Sequence, residues 1–358
     1  MSTPVDVVDR ILIFEATAAR TRWRADKVVV LDDQTGALSA AVADQLVRPD
    51  SGALRVWSDS LLAEHAVREA LAQGSTAADF PPDLGPALLG GARVVIMRLP
   101  KALAALDEMV EAAAAHAADN VQLLAGGRVK HMTRGMNTIL ETHFASVSAS
   151  LGRDKARVLR ASDVVARAPS SYPRSEFHPD IGLTVFAHGG AFAGTKIDLG
   201  TRTLLGCLDE LPPGPICVVD LGCGTGVLSA MVARSHPLAQ VIAVDESWSA
   251  CRSARATATT QGVGDRIEVI RSDVLSGVAS DSVDVVACNP PFHRGTTRDS
   301  DDAFRMFADS ARVLRPGGEL WTVFNTHLPY RSVLRRLVGE TVIVAQTPKF
   351  MVTRSRWS

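Results

Sequence analysis

The fold is decided by the run Asp220-Leu221-Gly222-Cys223-Gly224-Thr225-Gly226, which joins a buried-strand pattern at residues 216–220 to a helix predicted over 227–235. Glycine adopts left-handed backbone conformations without steric cost and lets a ligand approach the main chain closely. The spacing is G-x-G-x-G, which differs from the G-x-G-x-x-G of dinucleotide-binding loops. We therefore predict a ligand at the N-terminus of this helix, with contacts from Asp220, Gly222, Cys223, Gly224 and Gly226.

Strands and helices alternate on the C-terminal side of this loop. The apolar patterns predict strands at 240–244, 267–270, 283–288, 319–324, 341–345 and 350–353, and helices at 247–260 and 303–314. This alternation indicates an α/β fold with a mostly parallel, doubly wound sheet.

The chain also contains an internal repeat. Residues 28–43 lie 190 positions before residues 218–233, and ten of the sixteen aligned pairs are identical. A further match at nearly the same offset pairs Gly126-Gly127 with Gly317-Gly318. Matches in the same order along the chain predict that both halves share one fold.

The two halves differ in the loop itself. Gly222 and Gly224 align with Asp32 and Gln34, whose side chains would block the close approach of a ligand. We therefore predict that the first half is a degenerate copy, kept for structure or for positioning a substrate. The expected domains are residues 1–165, a linker rich in Pro and Ser at 166–182, and residues 183–358.

Polar residues follow the second and third predicted strands. Asp245, with the adjoining Glu246, comes directly after an apolar strand, where a carboxylate can accept both ribose hydroxyls of a nucleoside. Asp273, with the adjoining Ser272, follows the third strand and is suited to accept an exocyclic adenine amine. An alternative for Asp273 is a helix-capping role. We assign all four residues to the ligand site.

The fourth predicted strand ends in Asn289-Pro290-Pro291-Phe292. Ligand chemistry in open α/β sheets takes place beyond the carboxyl ends of the strands. The two prolines fix the backbone and donate no hydrogen bonds, so the Asn289 side-chain oxygen and the Pro290 carbonyl can accept both hydrogens of an amine. Phe292 offers a flat face for a ring. We predict Asn289, Pro290, Pro291 and Phe292 as the catalytic residues.

These motifs resemble those of the ribosomal RNA guanine-N2 methyltransferases of the RsmC/RlmG type. The resemblance rests on residues 220–226, Asp245, Asp273 and residues 289–293. It implies two tandem Rossmann-like methyltransferase-type domains, of which the N-terminal one is degenerate and residues 183–358 are catalytic. It also implies S-adenosyl-L-methionine as the cofactor and the exocyclic N2 amine of a guanine in ribosomal RNA as the methyl acceptor.

The resemblance favours the large-subunit branch of that family. Residues 99–106, 128–132, 155–159 and 197–202 look like RlmG, whereas residues 328–330 and 345–347 look like RsmC. We therefore expect large-subunit ribosomal RNA, naked or in a particle, as the partner.

The formal net charge of −1 is unevenly distributed. Residues 1–127 carry 11 basic and 17 acidic side chains, whereas residues 128–174 carry 9 basic and 3 acidic ones. A local basic surface is what a polyanion such as RNA requires. Arg128, Lys130, Arg153, Lys155 and Arg157 are the residues we expect to contact phosphates.

Several classes of protein are not expected. The five cysteines form no C-x-x-C pair, and His293 and His327 lack partners at ligand spacing, so no disulfide framework or metal site is predicted. There is no signal-peptide pattern, and no apolar run approaches the roughly 20 residues that span a bilayer. A cytoplasmic protein is therefore expected, without a membrane partner. The oligomeric state is left open, with a monomer compatible.

Two alternatives to guanine methylation remain open at this point. Asn-Pro-Pro-aromatic motifs also serve enzymes that methylate other bases or a protein glutamine. The second alternative is a non-catalytic RNA-binding assembly factor, against which the intact Gly222, Gly224, Asp245 and Asn289 argue.

Overall fold

The computed structural model describes residues 5–18, 22–48, 51–214, 216–290 and 297–358. The chain divides into two compact units, Met1–Tyr172 and Pro173–Ser358. Within the described residues, each unit is built around a seven-stranded sheet.

The first unit contains six helices and nine strands among its described residues. The helices are α1 (Val7–Thr17), α2 (Ala37–Gln45), α3 (Leu61–Ala72), α4 (Pro86–Leu89), α5 (Leu103–His116) and α6 (Arg134–His143). The strands are β1 (Trp23–Arg24), β2 (Val28–Leu31), β3 (Val47–Arg48), β4 (Leu54–Trp57), β5 (Ala78–Asp79), β6 (Val94–Arg98), β7 (Gln122–Arg128), β8 (Phe144–Ala149) and β9 (Ala156–Val164). The main sheet has the order β5-β4-β2-β6-β7-β9-β8, and β9 is antiparallel to both of its neighbours.

The second unit contains five helices and nine strands among its described residues. The helices are α7 (Leu199–Leu205), α8 (Val227–Ser235), α9 (Trp248–Thr260), α10 (Thr297–Val313) and α11 (Tyr330–Leu337). The strands are β10 (Arg174–His178), β11 (Leu183–Ala187), β12 (Cys217–Leu221), β13 (Gln240–Asp245), β14 (Ile267–Arg271), β15 (Val283–Cys288), β16 (Leu314–Asn325), β17 (Gly339–Gln346) and β18 (Phe350–Trp357). The main sheet has the order β14-β13-β12-β15-β16-β18-β17, and β18 is antiparallel to both of its neighbours.

The two main sheets have the same topology. When the strands of each sheet are numbered along the chain, both orders read 3-2-1-4-5-7-6, with the first five strands parallel. The predicted doubly wound α/β fold of both halves is therefore confirmed. Strand order reverses between the first and fourth strands, and ligands of open α/β sheets bind in the crevice at such a point.

The register aligns the strand ends at this crevice. In the second unit Leu221 pairs with Cys288, so the loop after β12 lies beside the residues that follow β15. In the first unit Leu31 pairs with Met97 in the same way. The central strands are mostly apolar because helices cover both faces of a parallel sheet, although β12 contains Asp220. All four residues of β2 are buried, and so are Val218 to Leu221 in β12.

Several element boundaries differ from those predicted. Helix α8 and strand β15 have the predicted bounds, but α10 starts at Thr297 rather than at residue 303. Helix α11 was not predicted, since its eight residues include three arginines.

The segment predicted as a linker contains ordered contacts. Arg167 donates to the carbonyls of Ala114, Ala115 and Ala117 at the end of α5. Residues 174–178 form β10, which pairs with β11.

Candidate functional site

The glycine loop that follows β12 contains two kinds of glycine. All three glycines have positive φ, which is 75° at Gly222, 53° at Gly224 and 75° at Gly226. A Cβ on Gly226 would lie 2.8 Å from the Cα of Ala254, so this glycine allows α8 to approach α9. A Cβ on Gly224 would meet nothing within 4 Å. Gly222 and Gly224 therefore line a cradle that is open at Gly224, since a Cβ on Gly222 would lie 3.6 Å from Met306 Cε. Gly226 serves packing.

Asp220 lies beneath this loop. Its Oδ2 accepts hydrogen bonds from both the backbone N–H and the hydroxyl of Ser229, which lies in the first turns of α8. Burial raises the pKa of the Asp220 carboxyl to about 6, although the Ser229 bonds lower it. The carboxylate therefore ties the loop to the helix that follows.

Asp245 faces the same loop from the end of β13. Its Oδ2 accepts from the N–H of Gly224 at 3.0 Å, and its Oδ1 accepts from the N–H of Ser247 at 2.9 Å. The carboxylate thus lies beside Gly224, at the edge of the open cradle. The neighbouring Glu246 is half-buried, and its carbonyl accepts from Arg271. Cys223 is buried in the loop, and burial raises the pKa of its thiol well above the ordinary value.

The two residues predicted after β14 have different environments. The Ser272 hydroxyl is buried and lies 2.9 Å from that of Ser276. Asp273 is more exposed, and its Oδ2 forms an ion pair with Arg305 at 2.8 Å. Both Asp273 and Arg305 line a cavity of about 510 Å³ between this loop and α10. Arg305 was not predicted as a site residue.

Asn289 is anchored by residues from the start of α7. Its Nδ2 donates to Asp198 Oδ2 and to Thr201 Oγ1, both at 3.0 Å. Its Oδ1 is buried and has no hydrogen-bond partner among the described residues. The site therefore presents a buried acceptor beside the glycine loop. Pro290 is buried next to it, whereas the predicted Pro291 and Phe292 lie outside the described residues.

The anchoring residues were missed by the sequence analysis. Asp198 caps α7 by accepting from the N–H groups of Gly200 and Thr201. An aspartate just before a helix is a recognisable capping pattern, but it gives no indication of a partner 91 residues away. The internal repeat is the feature that could have indicated these residues, because Asp6 and Asp9 lie 192 positions before Asp198 and Thr201.

The corresponding loop of the first unit is filled by its own side chains. Asp32 has a φ of 58°, and its Oδ1 accepts from the Gln34 side chain at 2.9 Å. The Asp33 carboxylate accepts from the N–H groups of Thr35, Gly36 and Ser39. This loop therefore offers no open cradle.

Arg98 takes the place of Asn289 in the first unit. Its guanidinium donates to Asp9 Oδ1 at 2.7 Å and to Asp6 Oδ2 at 2.9 Å. Asp6 caps α1 as Asp198 caps α7. The contacts to the first helix of the unit are thus retained, although arginine has no acceptor atom to offer.

A cluster of exposed basic residues lies near the end of β7 and the start of β9. We define this basic surface as Arg128, Lys130, Arg134, Arg153, Lys155 and Arg157. The N–H of Val129 donates to the carbonyl of Lys155 at 2.9 Å, which brings the two segments together. Within the part of the chain that the structure describes, none of the six forms an ion pair with an acidic side chain.

The described residues contain neither a membrane-spanning helix nor a cluster of metal-binding side chains. No helix there is both long enough and apolar enough to cross a membrane. No group of three or more His, Cys, Asp or Glu residues within those ranges could hold a metal ion.

Comparison with known proteins gives matches over both units. Residues 182–354 match the family described as the methyltransferase small domain, and residues 4–164 match the RLMG N-terminal domain. The chain is 38% identical over 336 residues to the ribosomal RNA large subunit methyltransferase G of Stutzerimonas stutzeri, covering 92% of this chain and 87% of that protein. It is 35% identical to the protein of the same name from Streptomyces avermitilis, covering 98% and 95%.

A solved structure shares the fold over the whole chain. The T. thermophilus 16S rRNA N2 methyltransferase RsmC, in complex with AdoMet and guanosine, is similar with a TM-score of 0.77. The match covers 99% of this chain and 92% of that one at 19% sequence identity. The two chains therefore share a two-domain fold although their sequence identity is low.

Proposed function

The chain belongs to the ribosomal RNA large subunit methyltransferase G family, and from this premise we propose that it methylates the exocyclic N2 amine of a guanine in large-subunit ribosomal RNA. The observation that carries the choice of an amine is the buried Asn289 Oδ1, which lacks a partner among the described residues. A buried acceptor left unpaired costs about 1–3 kcal/mol, so a donor on the substrate is needed to satisfy it.

We propose that S-adenosylmethionine binds at the glycine loop of the second unit. The open space beside Gly224 fits a ligand that approaches the backbone, and Asp245 accepts from the N–H of that glycine. A nucleoside ribose would meet Asp245, beside which Glu246 lies, while Ser272 and Asp273 follow the next strand, β14. When bound, S-adenosylmethionine supplies an electrophilic methyl group.

The amine is held by Asn289 and Pro290 in this proposal. Each offers an oxygen, and together they engage the two hydrogens so that the nitrogen lone pair stays exposed. Positioning of this kind can lower a barrier by roughly 7–11 kcal/mol, so no strong general base is required. Stacking of the guanine on Phe292 remains a prediction, since that residue lies outside the described ranges.

The first unit is proposed to bind RNA rather than cofactor. Its loop is filled by Asp32, Asp33 and Gln34, whereas its basic surface is free of acidic partners among the described residues. Ribosomal RNA in the cytoplasm, as naked RNA or in a particle, is the proposed partner. The domain limits 1–165, 166–182 and 183–358 are proposed as the functional division.

The decisive experiment maps methylated guanosines in ribosomal RNA by mass spectrometry. A strain that lacks the gene should lose one N2-methylguanosine of large-subunit RNA, and the wild-type gene should restore it. The Asn289→Ala gene serves as the matched control and should not restore it. An unchanged set of methylguanosines in the deletion strain would overturn the proposed substrate.

Calorimetry tests the cofactor assignment separately. We expect one S-adenosylmethionine per chain, and Asp245→Ala should weaken its binding by about 1–3 kcal/mol because two hydroxyls lose their acceptor. The matched control is Ser58→Ala, since Ser58 follows β4 as Asp245 ends β13. Binding of two molecules per chain would contradict the reading of the first unit as degenerate.

A further inference from the structure

The Asn289 amide is held in one of its two orientations. The partner of Nδ2 at 3.0 Å is a carboxylate oxygen of Asp198, which can only accept a hydrogen bond when ionised. A flipped amide would place Oδ1 against that carboxylate. Thr201 Oγ1 receives the second N–H at 3.0 Å. Both Nδ2 hydrogens are therefore committed, and only Oδ1 remains for a substrate.

We propose that Asp198 and Thr201 are positioning residues that make the site selective for a nitrogen carrying hydrogens. By fixing the amide of Asn289, they present an acceptor and no donor to the substrate. An amine satisfies that acceptor, whereas a carbonyl oxygen or an unprotonated ring nitrogen does not. This inference rests on the proposed function, because it explains how that site recognises its acceptor group.

Close packing supports this arrangement. Asp198 Oδ2 also accepts from the N–H groups of Gly200 and Thr201, so the carboxylate is fixed by the first turn of α7. A Cβ on Gly200 would lie 2.9 Å from Asp198 Oδ2 and 3.2 Å from Asn289 Oδ1. Glycine at this position thus lets the helix end come close to the amide.

The first unit shows that anchoring and accepting are separable. Asp6 and Asp9 hold Arg98 there, in positions that correspond to Asp198 and Thr201. Arginine carries donors only, so that unit keeps the anchor and has lost the acceptor. The anchor therefore has a structural value in both units. The buried oxygen without a partner among the described residues is Asp9 Oδ2 at the first anchor, within the anchor itself, and Asn289 Oδ1 at the second, on the strand-end residue.

The test compares Thr201→Val with Thr201→Ser in single-turnover methylation of large-subunit RNA from the deletion strain. The valine removes the hydroxyl at nearly constant size and should slow methylation about tenfold, the value of one hydrogen bond. The serine keeps the hydroxyl and should stay within about threefold of the wild type. The cofactor dissociation constant should be unchanged in both. Equal rates for valine, serine and wild type would overturn the proposal.

Asp198 gives a second matched pair. Asp198→Asn keeps an oxygen that can accept from the helix and from Asn289, so methylation should stay within about fivefold of the wild type. Asp198→Ala removes it and should slow methylation about a hundredfold through misplacement of the amide. Similar rates for the two variants would contradict the role of Asp198.

A spectroscopic measurement separates this proposal from the proposed substrate. The chain has four asparagines, so selective ¹⁵N-asparagine labelling gives four side-chain amide pairs, and Asn289→Ala identifies one of them. The Asn289 pair should exchange slowly with water in the wild type and in Thr201→Ser, and quickly in Thr201→Val. Fast exchange in the wild type would refute the positioning role whatever the enzyme methylates. Slow exchange without methylation of this RNA would leave the positioning role intact and refute the substrate.

Discussion

The loops that follow the first strands of the two sheets differ in which glycines they keep. Gly36 and Gly226 have φ values of 78° and 75°, and a Cβ on either would collide with the next helix. Gly222 and Gly224, which line the cradle of the second unit, are replaced by Asp32 and Gln34 in the first. Packing has therefore preserved one glycine in both units, whereas the open glycines persist only where a ligand is proposed.

The residues at the ends of β15 and β6 also differ in whether they offer a group to a ligand. Asn289 and Arg98 are both anchored to the N-terminus of the first helix of their own unit, α7 and α1, but only Asn289 brings an oxygen of its own to the strand end, and that oxygen has no partner among the described residues. A unit can therefore lack the groups for ligand binding and still keep the contacts that hold its elements together.

The largest expected effect comes from the two strand-end residues. Asn289→Ala should lower the methylation rate at least a hundredfold, because misplacement of a reacting group by about 1 Å has that cost. Arg98→Ala should leave the rate within about threefold of the wild type, since Arg98 serves no substrate. Single-turnover assays at saturating RNA, beside cofactor titration, measure both. A wild-type rate for Asn289→Ala would show that the amine is held elsewhere.

The glycines provide the next test. Gly36→Ala and Gly226→Ala should each destabilise their own unit by about 2 kcal/mol, because the added methyl group overpacks a helix contact. Gly224→Ala meets no neighbour and should weaken cofactor binding with a smaller loss of stability. Thermal unfolding and calorimetry on the full chain distinguish the two outcomes. If Gly36→Ala were neutral, packing would not explain why that glycine persists.

A smaller effect is expected at the basic surface. Replacing Arg153, Lys155 and Arg157 with glutamine should weaken RNA binding about tenfold and flatten its dependence on salt, because fewer counterions are released. Arg68→Gln is a suitable control, since Arg68 is paired with Glu64. Titrations at several salt concentrations measure the slope. An unchanged slope would assign RNA binding to another surface.

The smallest effect concerns the pH dependence of the first unit. Burial, followed by the charge of Asp59, raises the pKa of the Asp32 carboxyl to about 7. The folded unit then binds a proton that the unfolded chain releases near pH 4, so stability falls as the pH rises from about 4 to 7. Asp32→Asn removes that dependence, and asparagine tolerates the positive φ.

Hydrogen exchange of the backbone amides at residues 33–39 measures this change. At pH 8 the Asp32→Asn variant should exchange more slowly than the wild type, by an amount equivalent to about 1 kcal/mol, after correction for intrinsic rates. At pH 5 the two should be similar. Equal protection of the wild type and the variant at both pH values would show that ionisation of Asp32 does not destabilise the first unit.

Much of the fold was predictable because its signals are local. The bounds of α8 follow from the glycine before it, and those of β15 from an apolar run that ends at Asn289. The internal repeat predicted a second sheet of the same kind, which the shared strand order confirms. The family resemblance, with its large-subunit branch, is confirmed by the named relatives.

The partners of the site residues could not be predicted because they depend on tertiary packing. Asn289 meets Thr201 across 88 residues, and Asp273 meets Arg305 across 32. No short-range pattern in the sequence encodes such contacts. Helix α11 was missed for a different reason, since its buried face depends on only a few apolar side chains. The assignments of individual site residues to cofactor and substrate remain predictions.

Because of the Asp33 carboxylate, the stability of the two units should depend differently on the concentration of cofactor in the cell. It accepts hydrogen bonds from N–H groups at the start of α2. Because this anion is part of the chain, its binding does not depend on the concentration of any ligand. With cofactor bound at its proposed site, the second unit would gain stability by mass action, about 2.7 kcal/mol when free cofactor is a hundred times its dissociation constant. When methyl donors are scarce, the second unit therefore keeps only the bonds between Asp220 and Ser229, while the first unit keeps every bond of Asp33.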